Sequence, residues 1–135
     1  MNPNCEQARP FLDTVIVVED DPIIRLLVKD ILDEIGAKSV LFSSADEAYD
    51  YLLGTHAHCP LVIVDQGLPG KIQGGEFIEM VRAKWPGVRS ILTSGYLLEP
   101  ATIPAYVTYL QKPWSPGLLI ATITSLLNRK SRALA

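Results

Sequence analysis

The chain has 135 residues, of which 48% are hydrophobic and 20% are charged, and its formal net charge is −3 at pH 7. This length fits one domain, and the balance of apolar and charged residues excludes a largely disordered chain. Proteins bind nucleic acid mainly through basic residues that neutralise phosphates, so direct nucleic-acid binding is not expected of an acidic chain.

The cysteines and the apolar runs indicate the cellular compartment of the protein. Cys5 and Cys59 form neither a disulfide framework nor a CxxC pair. The chain start lacks the apolar stretch of a signal peptide, and runs such as Thr14–Val18 are too short to span a bilayer. A cytoplasmic protein with free thiols and no membrane insertion is therefore expected.

The chain alternates between two kinds of segment. Residues 1–13 are polar and without a period, and we interpret them as a flexible N-terminal arm. From Thr14 onward, β-branched runs alternate with longer, helix-like stretches, and the runs are Thr14–Val18, Ser39–Phe42, Leu61–Val64, Ser90–Thr93 and Val107–Leu110. This alternation predicts βαβ units, and continuous apolar runs are typical of parallel strands buried on both faces. One α/β domain is predicted over residues 14–130, followed by a tail at 131–135.

Helix signals follow most of the predicted strands. Asp21 is a candidate N-cap, Pro22 suits the first helical position, and Gly36 ends the first helix. The other signals are a capping-box pattern at 44–47, an apolar stripe at 77–81 before Trp85-Pro86-Gly87, and Ser115-Pro116 before the last helix. Four helices are therefore readable from the sequence.

The segment between the fourth and fifth strands is different. It contains Pro100 and Pro104, and a proline inside a helix costs about 3 kcal/mol. We expect this element to be a short or distorted helix, or only a loop.

Polar residues follow four of the five predicted strands. They are Glu19-Asp20-Asp21, Asp65, Thr93-Ser94-Gly95 and Lys112. In an open parallel sheet, ligands bind at the carboxyl ends of the strands, so these side chains are expected to meet at one edge. Clustered carboxylates favour a cation between them, and oxygen ligands suit Mg²⁺ or Mn²⁺. An ionised carboxylate can attack phosphorus, while a lysine, a hydroxyl and a metal neutralise the transferred group.

Four sequence motifs resemble the receiver domain of response regulators in two-component signal transduction. In chain order they are VVEDDPIIR (17–25), LVIVDQGLPG (61–70), ILTSGY (91–96) and YLQKPW (109–114). The resemblance covers residues 14–128. It implies a flavodoxin-like, doubly wound, five-stranded parallel sheet of the (βα)5 type, with helices on both faces.

The resemblance also implies a role for each matched residue. Asp65 would be the phosphoacceptor, and Lys112 would pair with the phosphoryl group. Glu19, Asp20, Asp65 and the carbonyl of Gly67 would hold the metal. Ser94 would be the switch hydroxyl rather than Thr93, because a small residue follows it, and Tyr109 would be the aromatic switch residue. The donor would be a histidine kinase or phosphotransfer domain, and the output would pass to an unknown downstream protein.

The sequence departs from the usual family pattern in one loop. Lys71–Gly75 is longer than the usual loop, and Gln73 stands where an aspartate is common. The TSGY form resembles receivers attached to hybrid sensor kinases. Few residues follow the last helix, so output is expected by contact, whether from a stand-alone protein or from a piece of a larger kinase.

The resemblance implies a phosphoacceptor that catalyses only its own phosphorylation and dephosphorylation, and the sequence argues against most other functions. A phosphatase of the haloacid dehalogenase type needs a second aspartate two residues after the nucleophile, where this chain has Gly67. Nucleotide or flavin binding lacks a glycine-rich first turn. A cluster of His56, His58 and Cys59 has the wrong spacing for a metal site. A receiver-like module that never takes phosphate stays open, because of the altered loop.

Overall fold

The computed structural model of the chain describes residues 14–55, 59–96 and 98–134, so the predicted N-terminal arm lies outside the described residues. Five parallel strands form one sheet in the order β2-β1-β3-β4-β5. The strands are β1 (Thr14–Val18), β2 (Lys38–Phe42), β3 (Leu61–Asp65), β4 (Arg89–Ser94) and β5 (Val107–Gln111). This order is that of the flavodoxin-like fold, as predicted.

Four α-helices connect and follow the strands. They are α1 (Pro22–Glu34), α2 (Ala45–Thr55), α3 (Gly74–Lys84) and α4 (Pro116–Leu134). The predicted tail at 131–135 therefore begins inside α4. None of the helices in the described ranges has the length and apolar character needed to cross a bilayer.

Local sequence signals explain where α1 begins and ends. The Asp21 carboxylate accepts a hydrogen bond from the Ile23 N–H at 2.9 Å, and Pro22 needs no hydrogen-bond acceptor at the first helical position. After the helix, Gly36 adopts a φ of 80°, which a residue with a side chain rarely does. The cap fixes the direction in which the helix leaves the end of β1.

Successive residues of the strands are buried on opposite faces of the sheet. Val15 and Val17 belong to one apolar cluster, together with residues of α1 and α4. Ile16 and Val18 belong to the other, together with residues of α2 and α3. Both faces are thus covered by helices, which explains why the strand sequences are continuously apolar.

The connection between β4 and β5 is the exception to the (βα)5 pattern. In its described residues, 95–96 and 98–106, it contains a 3₁₀ turn at Pro100–Thr102 and no α-helix. The Thr102 N–H donates to the Glu99 carbonyl at 2.9 Å, which closes this turn. Proline lacks a backbone donor and clashes with the preceding helical turn, so Pro100 and Pro104 confine regular structure to this short piece.

Candidate functional site

The strand register brings the predicted polar residues to one edge of the sheet. Val18 pairs with Val64, so Glu19 and Asp65 follow neighbouring positions. Asp65 pairs with Thr93, and Ser94 pairs with Gln111, the residue before Lys112. Residues distant in sequence therefore converge at the carboxyl ends of β1, β3, β4 and β5.

Lys112 lies between two buried carboxylates at this edge. Its Nζ is 2.8 Å from Glu19 Oε1 and 3.1 Å from Asp65 Oδ1. Both carboxylate residues are buried, and the lysine side chain is about four-fifths buried, at 19% exposure. One ammonium thus bridges the predicted phosphoacceptor and a predicted metal ligand, which balances part of their negative charge.

Glu19 is held by several further contacts. Its Oε2 accepts from the Asp21 N–H at 3.1 Å, and its backbone carbonyl accepts from Arg25 Nη1 at 2.7 Å. Burial raises the pKa of Glu19 despite hydrogen bonds from Lys112 and Asp21, and the charge of Asp65 adds to the rise. A further cation at the site would favour the ionised form of Glu19 and offset that rise.

For Lys112, the neighbouring charges outweigh the effect of burial on the pKa. Burial acts to lower the pKa of Lys112, but hydrogen bonds and charge from Glu19 and Asp65 outweigh it, so that the pKa is raised above 10.5. The side chain is therefore a permanent cation at physiological pH.

The acidic residues fit a small divalent cation. Glu19, Asp20 and Asp65 each place a carboxylate oxygen so that all three oxygens lie within 4.8 Å of one another. Two of these residues are buried and Asp20 is exposed, so the group opens to solvent on one side. An all-oxygen set of this kind suits Mg²⁺, which retains several water ligands. Gly67, whose carbonyl was predicted as a further ligand, is exposed near this edge, two residues after Asp65.

The two hydroxyl residues at the end of β4 differ in their surroundings. Thr93 and Ser94 are both buried, and successive strand residues point to opposite faces. The Ser94 hydroxyl accepts from the Tyr96 N–H at 3.0 Å, and the Ser94 carbonyl accepts from the Lys112 N–H at 2.8 Å. Ser94 is thus connected both to the lysine strand and to the segment after β4.

Tyr109 is connected to that same segment. Its hydroxyl donates to the Tyr96 carbonyl at 2.7 Å, and its ring packs against the cluster beneath α3. The amide and the carbonyl of Tyr96 are therefore held by the two residues predicted to act as switches. The Tyr96 side chain itself is 80% exposed.

The loop after Pro69 is fixed by side chains that the sequence did not single out for this purpose. The Gln73 amide donates to the Leu68 carbonyl at 2.9 Å, and its oxygen accepts from the Leu68 N–H at 3.2 Å. Asp46 accepts from the Ile72 N–H at 3.2 Å and lies against Gly70, whose φ is 91°. Gln73, which stands where an aspartate is common in the family, therefore stabilises the loop that follows Asp65 through two hydrogen bonds.

Gly74 allows α3 to begin directly against β3. A Cβ at this position would lie 2.3 Å from the Asp65 carbonyl oxygen and 2.8 Å from the Gln66 Cα. Only glycine fits such a contact. Sequence reasoning assigned no role to Gly74 or Arg25. The glycine pair Gly74-Gly75 was the available signal for a close backbone approach.

Of the histidine and cysteine cluster considered from the sequence, only Cys59 lies within the described residues. His56 and His58 lie outside the described residues, and Cys59 is buried, with its thiol donating to the Leu61 carbonyl at 3.2 Å. Within the described ranges, the acidic trio at the strand ends is the group of His, Cys, Asp and Glu residues with metal-binding geometry.

Comparisons with known proteins identify the family of the chain. The family model described as the response regulator receiver domain matches residues 15–124. The chain is 34% identical over 115 residues to the hydrogenase transcriptional regulatory protein HoxA of Cupriavidus necator, covering 82% of this chain and 23% of that protein. The chain thus spans about a quarter of that relative's length.

Solved structures show the same fold. A CheY-like receiver domain protein from Methanospirillum hungatei superposes with a TM-score of 0.81 at 25% identity, over 90% of this chain and 98% of that one. The BeF3-activated receiver domain of Klebsiella pneumoniae RstA gives a TM-score of 0.73 at 25% identity, over 85% and 98%. The chain belongs to the response regulator receiver domain family of two-component signal transduction.

Proposed function

We propose that this receiver domain takes a phosphoryl group onto Asp65 from a histidine kinase or phosphotransfer domain, and thereby switches a surface that binds a downstream protein. The observation that supports this most directly is the Lys112–Asp65 contact of 3.1 Å beside two further carboxylates. An acceptor carboxylate, a fixed cation and a set of metal ligands are the parts that phosphoryl transfer needs.

The transfer itself requires little from the protein beyond placement and charge. An ionised oxygen of Asp65 forms a bond to phosphorus as the bond from phosphorus to the donor breaks, so no general base is needed. Glu19, Asp20, Asp65 and the Gly67 carbonyl would hold Mg²⁺ or Mn²⁺, which supplies positive charge to the phosphoryl oxygens. Lys112 would exchange part of its contact with Asp65 for a phosphoryl oxygen.

Ser94 and Tyr109 provide a route from Asp65 to the surface. When the Ser94 hydroxyl donates to the phosphoryl group and turns towards it, the Tyr96 N–H loses its acceptor at 3.0 Å. Tyr109 holds the carbonyl of that same residue, so its hydrogen bond changes with the segment. The segment after β4 would then shift together with the Tyr109 ring.

A phosphatase acting on separate substrates is not supported. Such an enzyme needs an acid two residues after the nucleophile, and glycine at position 67 offers no proton. The proposed activity is therefore limited to the domain's own phosphorylation and dephosphorylation, in a cytoplasmic setting where kinases can reach it.

Intact-mass spectrometry tests the assignment. The protein is incubated with acetyl phosphate or phosphoramidate, with Mg²⁺ or with EDTA, as wild type, Asp65→Asn and Asp30→Asn. Asp30 is an exposed carboxylate of α1 and serves as a matched control. We expect metal-dependent addition of one phosphoryl group to wild type and Asp30→Asn only. An acid-labile phosphoryl group on Asp65→Asn would refute the assignment.

A further inference from the structure

A cavity lies at the opposite end of the sheet from Asp65. Its volume is about 430 Å³, and it lies beside the amino ends of β4 and β5. Its polar lining comes from Arg82 of α3, from Arg89 and Ser90 of β4, and from Tyr106 and Thr108 at the start of β5. Val88 and Leu126 add apolar surface. The size is within the range of small-molecule sites.

The polar side chains of this cavity are not hydrogen-bonded or ion-paired to other described residues. Arg82, Arg89, Ser90, Tyr106 and Thr108 form no side-chain hydrogen bond or ion pair within the described part of the chain. Ser90 is only 4% exposed. The hydroxyl groups of Ser90 and Thr108 and the two guanidinium groups are therefore available to hydrogen-bond a ligand in the cavity.

Arg82 is held in place by an aromatic ring. Its guanidinium carbon lies 4.0 Å from the centroid of the Tyr106 ring, which is a cation–π contact. Such stacking occupies the flat face of the guanidinium and leaves the N–H groups at its edge free to donate. The Arg82 side chain is therefore placed to bind an anion, and it forms no ion pair with a described carboxylate.

The charge of the cavity differs from that of the chain. The protein carries a net charge of −3, yet the described residues that line this cavity include two arginines and no aspartate or glutamate. All five polar side chains can donate a hydrogen bond. Guanidinium groups with neighbouring hydroxyls match the acceptor-rich, doubly charged oxygens of a phosphate group.

We propose that this cavity binds a small phosphate-bearing ligand, with Arg82 and Arg89 holding the phosphate. The apolar residues of the lining, Val88 and Leu126, would contact an attached organic group. The proposal goes beyond the phosphorylation of Asp65, because the two sites lie at opposite ends of β4. That strand has six residues, Arg89–Ser94, which corresponds to about 16 Å.

NMR titration of the full chain tests the proposal, with EDTA present so that the acidic site holds no metal. Adenosine monophosphate and inorganic phosphate are the two probes, and the amides of Ser90 and Thr108 are the reporters. The variants are Arg82→Gln and Arg89→Gln. Lys84→Gln removes an exposed cation of the same helix, and Lys112→Gln removes the cation of the other site.

Saturable chemical-shift changes at Ser90 and Thr108 would support the site. We expect the binding affinity to fall by about tenfold or more in each arginine variant and to be unchanged in Lys84→Gln and Lys112→Gln. Tighter binding of the nucleotide would indicate an organic phosphate, and equal binding would indicate inorganic phosphate. Three results would each overturn the proposal. They are equal affinity in wild type and both arginine variants, loss of binding in Lys112→Gln, and no saturation by several millimolar probe.

Discussion

The ammonium of Lys112 forms its shortest contact with Glu19 rather than with Asp65, at 2.8 Å against 3.1 Å. The lysine is thus shared between a predicted metal ligand and the predicted phosphoacceptor. In the proposed reaction, an incoming phosphoryl group would add negative charge beside Asp65, so Lys112 would move towards it while a bound metal ion would offset the charge of Glu19.

The first prediction concerns the pH dependence of this pairing in metal-free protein. The pKa of Lys112 is raised in the folded state above 10.5, so its stabilising contribution is fully present below pH 10.5 and is lost as the pH rises through the folded pKa. The difference in unfolding free energy between wild type and Lys112→Met should therefore shrink above pH 10.5. Urea denaturation in EDTA at several pH values measures it. A difference that grows with pH would contradict the pairing.

The second prediction concerns metal binding. Asp20→Asn removes an exposed charge from the acidic trio and should weaken Mg²⁺ binding by about tenfold or more, with little effect on the fold. Calorimetric titration of the unphosphorylated protein checks this, with Asp30→Asn as the control. Equal Mg²⁺ affinity in both variants would show that Asp20 is not a ligand.

The third prediction concerns the contact between α3 and β3. Gly74→Ala should lower the unfolding free energy by about 1–3 kcal/mol, because the new methyl group overlaps the Asp65 carbonyl. It should also slow phosphorylation by displacing the acceptor strand end. Gly54→Ala is the matched control, since a Cβ there meets nothing within 4 Å and alanine favours helix. Comparable stability of the two variants in denaturation would argue against the close contact.

The fourth prediction concerns the link between Tyr109 and Tyr96. Tyr109→Phe removes the 2.7 Å hydrogen bond to the Tyr96 carbonyl and should cost about 1 kcal/mol or less. Hydrogen exchange at residues 95–96 should become faster, while phosphorylation of Asp65 continues. Tyr49→Phe serves as the control, because Tyr49 packs on Trp85 and does not touch this segment. If the hydrogen-exchange rates of these amides did not change, Tyr109 would not be part of the proposed switch.

Several features of the protein could be predicted from sequence because they depend on local physics. The alternation of apolar runs and helical stripes predicted five parallel strands, and Asp21-Pro22 predicted the start of α1. The prolines at 100 and 104 predicted the irregular element between β4 and β5. Because parallel strands end at a common edge, the polar residues after them were predicted to meet there, and Glu19, Asp65, Ser94 and Lys112 do.

Other features were decided only by the tertiary structure, since they depend on distances between residues far apart in sequence. The sequence could not show that Lys112 lies closer to Glu19 than to Asp65. Nor could it show that Gln73 hydrogen-bonds the Leu68 backbone, or that Asp46 hydrogen-bonds the loop beside Gly70. The closeness of Gly74 to Asp65 needed the packing angle of α3 against the sheet. The cavity at Arg82 and Arg89 likewise arises from residues of four elements, α3, β4, β5 and α4, which only the tertiary structure brings together.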